Sequence, residues 1–187
     1  MALCDFIISS NIDGIDCSAP PAKGAEAMGV LINRADIDYS DETPATSPFM
    51  LNFVHGMTKC DTHGYAVYQS GKEPFNGTQQ ELQEGVYANT ITNTLQLVVL
   101  KQDEDWAEQL FALVNGEFVA IIKNKNGTEQ VFGYEAGLHC TGAVRELYND
   151  DTLSGWQITF TEEGATKGNL FVPSGSIQLV LNGYECH

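Results

Sequence analysis

Between Leu95 and Gly142 the spacing of apolar positions changes twice. Leu95-Gln-Leu-Val-Val-Leu100 is apolar and rich in β-branched residues, and Leu95, Leu97 and Val99 share one face, as in a buried strand. Asp103-Glu104-Asp105 then supplies the negative charge that favours a helix N-terminus. Trp106, Leu110, Leu113 and Val114 recur at i, i+4, i+7 and i+8, so one face of a predicted helix over residues 104–115 is apolar. Asn115-Gly116 ends it, because glycine accepts the left-handed backbone that closes helices. Phe118-Val-Ala-Ile-Ile122 restarts extended structure. Asn126-Gly127 predicts a hairpin turn, with Gln130 to Tyr134 as the returning strand. A longer, more polar strand is expected over residues 138–148. Trp156-Gln-Ile-Thr-Phe-Thr161 alternates, with Trp156, Ile158 and Phe160 facing inward.

The rest of the pattern is weaker. Residues 1–27 mix short apolar pieces with turn residues and read as an N-terminal arm. Met28 to Ile32 and Tyr65 to Gln69 read as strands, Phe49 to Val54 as an apolar run, and Ile177 to Leu181 as a final strand. Ser70 to Gly85 is polar apart from Phe75 and Leu82 and reads as a long loop. Such loops are usually functional or disordered, and contact with another subunit is the favoured role here. The expected fold is mainly β: one domain over residues 28–187, a β-sandwich or partly closed barrel with one flanking helix.

Charge narrows the function. The 187 residues carry 25 acidic and 9 basic side chains, a formal charge of −16. Wrapping duplex nucleic acid or docking on anionic lipid needs the opposite balance. No apolar run approaches the roughly 18 residues of a membrane span, and Met1 to Phe6 lacks the start of a secretion signal. The expectation is a protein that stays in, or assembles in, the cytoplasm, with its five cysteines, odd in number and scattered, reduced. The Asn-Gly-Thr sequons at Asn76 and Asn126 read as turns.

The search for chemistry returns little. Phosphate-loop, dinucleotide, nucleophile-elbow and zinc-helix motifs are all missing from the sequence. Asp36-x-Asp38-x-Ser40 imitates the opening of a calcium loop, but Asp41 stands where glycine is needed and Ser47 where glutamate is needed, so a solvated acidic loop is expected. Cys60-Asp-Thr-His63 and His139-Cys140 carry the residue types of a zinc site. Adjacent residues on a strand face opposite ways, so His139 and Cys140 would not both reach one ion without a bulge. The reading is no metal, no cofactor and no catalytic residue.

The strand, the acid-started helix with Trp106, Asn115-Gly116, Phe118-Val-Ala-Ile-Ile122, the Asn126-Gly127 turn and Phe132-Gly-Tyr-Glu-Ala-Gly-Leu138 together resemble tail-tube-type structural proteins of tailed bacteriophages. So do Leu153 to Glu163, where a strand ends near acidic residues, and Cys4 and Cys17 ahead of a glycine-containing strand. The resemblance covers mainly residues 86–163. It implies a virion protein, assembled in the host cytoplasm, whose copies join edge to edge into rings of a tail tube or of a neck or connector. DNA would pass through the channel without specific binding, and the partners would be other copies and other tail or neck proteins. No catalytic residue carries over. On this reading Phe49, Met50, Leu51, Phe75 and Leu82 are expected contacts between subunits, and Asp36, Asp38, Asp41 and Glu42 would line an acidic lumen. The competing reading is a monomeric ligand- or glycan-binding module that stacks sugars on Tyr65, Tyr68 and Tyr87.

Overall fold

The structure, a computed structural model, describes residues 25–45, 47–68, 75, 77–86, 88–99, 104–146, 155–168 and 170–185. Nearly all of the expected N-terminal arm lies outside them. In chain order the elements are β1 (Ala25–Asn33), β2 (Glu42–Thr43), β3 (Asn52–Phe53), β4 (Tyr65–Tyr68), β5 (Gln79–Gln83) and β6 (Thr90–Val99). After these come α1 (Glu104–Asn115), β7 (Glu117–Asn124), β8 (Glu129–Phe132), β9 (Leu138–Glu146), β10 (Gly155–Ala165), β11 (Leu170–Val172) and α2 (Ser176–Asn182).

β7 is the hub. One of its edges pairs antiparallel with β1. Its other edge is shared: β8 takes Ala120 to Lys123, and β9 takes Glu117 and Phe118. The nine-stranded sheet therefore splits into two branches, β4-β1-β7-β8-β11 and β9-β10-β6-β5. Alternation along β7 feeds two cores. Val119 and Ile121 join Val30, Ile32, Val131, Val172 and the α2 residues Ile177 and Val180. Phe118, Ala120 and Ile122 join Leu31, Phe132, Leu95, Leu97, Ile158 and Phe160. The first branch is thus covered on one face by α2 and the 37–57 segment and on the other by the second branch. That explains the unbroken apolar run: every residue from Phe118 to Ile122 is at most 7% exposed, as in strands buried on both faces. The architecture is mainly β and sandwich-like, and the described strands do not close into a barrel.

α1 occupies the expected residues, but its buried stripe is narrower. Leu110 and Leu113 pack on the second core, while Val114 is 42% exposed. The helix sits mainly against β9, so only one line of side chains reaches the core. The Trp106 side chain lies outside the described residues.

Three expectations need correction. Ile177 to Leu181 is helical, not a strand. Ile177 and Val180 are buried three apart, which suits one helical face. Its start has no side-chain cap of its own, because Gly175 stands there. Instead Glu129, 4% exposed, accepts from Gly175 N (2.8 Å) and Ile177 N (3.0 Å). A carboxylate on β8, opposite Val172 of the neighbouring strand β11, thus caps α2. Glu129→Ala is expected to lower stability by about 1–2 kcal/mol, read as a lower urea midpoint, with faster amide exchange in α2. The second correction concerns 70–85, where residues 79–83 form β5 on the edge of the sheet. An edge strand facing water needs no apolar alternation, so its sequence reads as loop. Third, the apolar run Phe49 to Val54, expected as a contact between subunits, is partly engaged within its own chain. Leu51 N donates to Phe171 O (2.8 Å) and Phe171 N to Phe49 O (2.9 Å), so the segment seals the outer edge of β11.

Candidate functional site

The turn between β8 and β9 is held by a buried carboxylate. Glu162, 1% exposed near the end of β10, accepts at Oε1 from Glu135 N (3.1 Å) and Ala136 N (2.9 Å). Its Oε2 accepts from Gly133 N (2.8 Å) and Asn93 Nδ2 (2.6 Å). These donors meet the charge that burial would otherwise penalise. Asn93 Oδ1 in turn accepts from Gln80 Nε2 (2.7 Å), which ties the edge strand β5 into the same network. Glu135 reciprocates by accepting from the Thr166 amide and hydroxyl just beyond β10. Gly133 has φ +81°, and a Cβ there would lie 2.7 Å from Phe118 O, so the turn requires glycine.

Beside this turn lies the acidic loop. Asp36 accepts from Asn33 Nδ2 (2.9 Å). Asp38 accepts from the Ser40 hydroxyl and amide, which hold its carboxyl below the usual carboxylate range. Asp41 accepts from His55 N and lies 2.9 Å from His55 Nδ1. Glu42 accepts from Tyr134 OH (2.7 Å). Of the four, Glu42 alone is exposed, and the Asp41 side chain is only 11% exposed. Asp41 is thus bound within its own chain, with little of its carboxylate facing solvent. Tyr39, Glu42, Tyr134, Glu135, Thr166 and Lys167 border a recess of about 500 Å3.

Burial, and then the Glu42 carboxylate, push the Tyr134 phenol well above its ordinary range. The folded state therefore keeps the proton after the unfolded chain loses it near pH 10. Stability from this group is present below about pH 10 and is lost as pH rises further. Tyr134→Phe is expected to cost about 1 kcal/mol at neutral pH and to flatten the stability decline above pH 10, measured by urea titration across that range.

The proposed subunit contacts divide. Leu51 and Phe75 are each 3% exposed and belong to the two cores, so neither side chain is available to a second copy. Met50 is half-buried beside Phe171. Phe49 is 49% exposed and Leu82 65% exposed. Leu82 sits on β5, which pairs only with β6 among the described residues, and β4 likewise pairs only with β1. These strands end the two branches, and next to β5 Val86 is 94% exposed. On β4, Tyr65 is 54% exposed and its ring lies 5.2 Å from that of His63. The Tyr68 side chain and Tyr87 lie outside the described residues.

The cysteine–histidine pairs are not brought together. Cys60 is disulfide-bonded, against the expectation of reduced thiols, and its backbone bridges to Tyr184 near the C-terminus. A sulfur in a disulfide is no thiolate ligand. Cys140 is a free thiol on β9 that donates to Gly142 O, and His139 Nδ1 is 3.9 Å from Glu117. No group of three or more metal-binding side chains gathers among the described residues.

Residue patterns mark Tyr65 to Gln69 as a strand, but they read β5 as loop and miss the two buried glutamates. The alternation that turns Ile158 and Phe160 inward puts Glu162 inward as well, and Leu95 and Leu97 do the same for its cross-strand partner Asn93. No described helix is long and apolar enough to cross a membrane. Compared with known proteins, the chain matches no family model, no curated protein and no solved structure.

Proposed function

We propose that the protein is a tail-tube-type structural subunit of a bacteriophage virion. Copies would join through sheet edges into a ring around the DNA channel of the tail or of the head–tail junction. The observation that carries this is that β4 and β5, at the ends of the two branches, each pair along one edge only among the described residues. An open edge offers a row of N–H and C=O groups to another strand. Contact between two unlike edges repeats head to tail and closes as a ring when the rotation allows. Exposed Tyr65, Leu82 and Val86 add apolar area beside those edges. The charge of −16 supports a surface along which a polyanion slides instead of sticking.

Deleting residues 70–85 would not test this cleanly, since it removes β5 and the core residue Phe75. Point substitutions do. Leu82→Lys and Tyr65→Lys replace exposed side chains and are expected to leave circular dichroism and melting unchanged. Each is expected to shift assembled material to monomer in light scattering. Rings that persist in both variants would remove these edges from the joint.

A further inference from the structure

The segment that follows α2 runs against residues 60–64. Gly64 N donates to Val180 O (2.9 Å), and Asp61 N donates to Tyr184 O (2.8 Å). Cys60 and Tyr184 form an isolated parallel bridge. Gly183 has φ +70°, and a Cβ there would lie 2.6 Å from Thr62 O, so this close approach requires glycine. The Tyr184 ring packs against the His55 imidazole at 4.6 Å between centroids. Backbone and side chain together fix Tyr184 beside Cys60.

Cys60 is disulfide-bonded, and Cys140 is a free thiol. The other cysteines are Cys4, Cys17 and Cys186, all outside the described residues. Reach ranks them. A disulfide needs Cα atoms about 4.4–6.8 Å apart. Bridged backbones lie about 4.8 Å apart. Cys186 is two positions after Tyr184, a step of at most about 7 Å. Cys4 and Cys17 precede Ala25, where β1 begins. Cys60 is at the other end of β1, since Lys59 N donates to Asp36 O (2.8 Å) just beyond that strand. The strand between spans about 30 Å. Cys17 would need a nearly extended path to cover it, and Cys4 a path along the whole of β1.

We propose that Cys60 pairs with Cys186, and that this bond is a redox-sensitive latch holding the C-terminal segment and α2 against residues 60–64. α2 has seven residues, too few to persist without its neighbours. Ile177 and Val180 pack it into the core with Ile37 and Met57, and the latch fastens the end beyond them. The bond closes by exchange with a small disulfide, for which oxidised glutathione serves. One protein thiolate attacks that disulfide and releases one small thiol. The second protein thiolate attacks the protein sulfur of the mixed disulfide and releases the other. The two protein sulfurs are oxidised, the small disulfide is reduced, and the two protons end on the released thiols. Excess reduced glutathione runs the same steps backward, so the latch opens in reducing surroundings and closes in oxidising ones. It does not depend on ring assembly.

The test keeps the full chain, equilibrated with oxidised or reduced glutathione, alkylated and mapped by mass spectrometry. In oxidised glutathione a peptide pair linking Cys60 to Cys186 is expected, and in reduced glutathione both thiols are expected to be alkylated. Amide exchange in α2 is expected to quicken by about tenfold on reduction, while β10 stays slow and shows that the fold persists. Cys186→Ser is expected to show the faster α2 exchange in both buffers. Three results would each overturn the proposal: Cys60 linked to Cys4, Cys17 or a second chain; free thiols at both positions in oxidised glutathione; or α2 exchange that ignores both reduction and Cys186→Ser. Leu82→Lys is expected to form the same link as the wild type, which separates the latch from the assembly reading.

Discussion

Glu162→Gln is expected to lower the free energy of unfolding by about 2–6 kcal/mol. The substitution keeps the shape and turns one carboxylate oxygen into an amide NH2. Each oxygen accepts from two donors, so whichever becomes NH2 strands two of them. A buried donor without a partner costs about 1–3 kcal/mol, which gives the range. The control is Glu163→Gln, next along the strand and exposed, for which a change within about 0.5 kcal/mol is expected. Urea denaturation of the two variants separates them. Equal midpoints would mean that the carboxylate does not clamp the turn. The effect should spread beyond the turn, because Asn93 and Gln80 continue the same chain of hydrogen bonds to β5. Amide exchange in β5 is therefore expected to quicken in Glu162→Gln.

Phe160→Ala is expected to cost about 3–5 kcal/mol. Phe160 is fully buried on β10, and its ring meets Phe118 edge to face at 5.9 Å. Those two rings join the second branch to the hub strand, so the cavity would open where the layers meet. The opposite outcome is expected for Val144→Ala on β9, where the side chain is 60% exposed and little packing is lost. A thermal melt compares them. If Phe160→Ala melts with Val144→Ala, the two branches are not held by this contact.

Much of the β framework was legible because burial imposes a period. The unbroken run at Phe118–Ile122, the alternation at Trp156–Phe160 and the Asn126-Gly127 turn all appear as read, with α1 at residues 104–115. The failures have physical causes. β5 is polar because it is an edge strand, and alternation marks only strands with one buried face. α2 was mistaken for a strand because a short apolar run has no decisive period, and because the carboxylate that caps it is 46 residues away in sequence. Leu51 and Phe75 looked available for contact between subunits because short apolar pieces in polar surroundings resemble surface anchors, whereas both are core. The buried glutamates escape a reading that places every charge at the surface, although the period that turns Ile158 and Phe160 inward turns Glu162 inward too.

The acidic loop shows the same limit. Asp36, Asp38, Asp41 and Glu42 are adjacent in sequence and suggested a charged wall. Folding gives each a hydrogen-bonding task, and Glu42 is the one exposed among them. An acidic channel would therefore draw on Glu42 together with other exposed carboxylates, not on this loop as a row.

The central claim is that this scaffold exists to join copies of itself. Light scattering of the purified full chain over a wide concentration range, with negative-stain imaging of the largest species, tests it most directly. The account predicts closed rings of one size with a central opening. A single 20.4 kDa protomer at every concentration would contradict it.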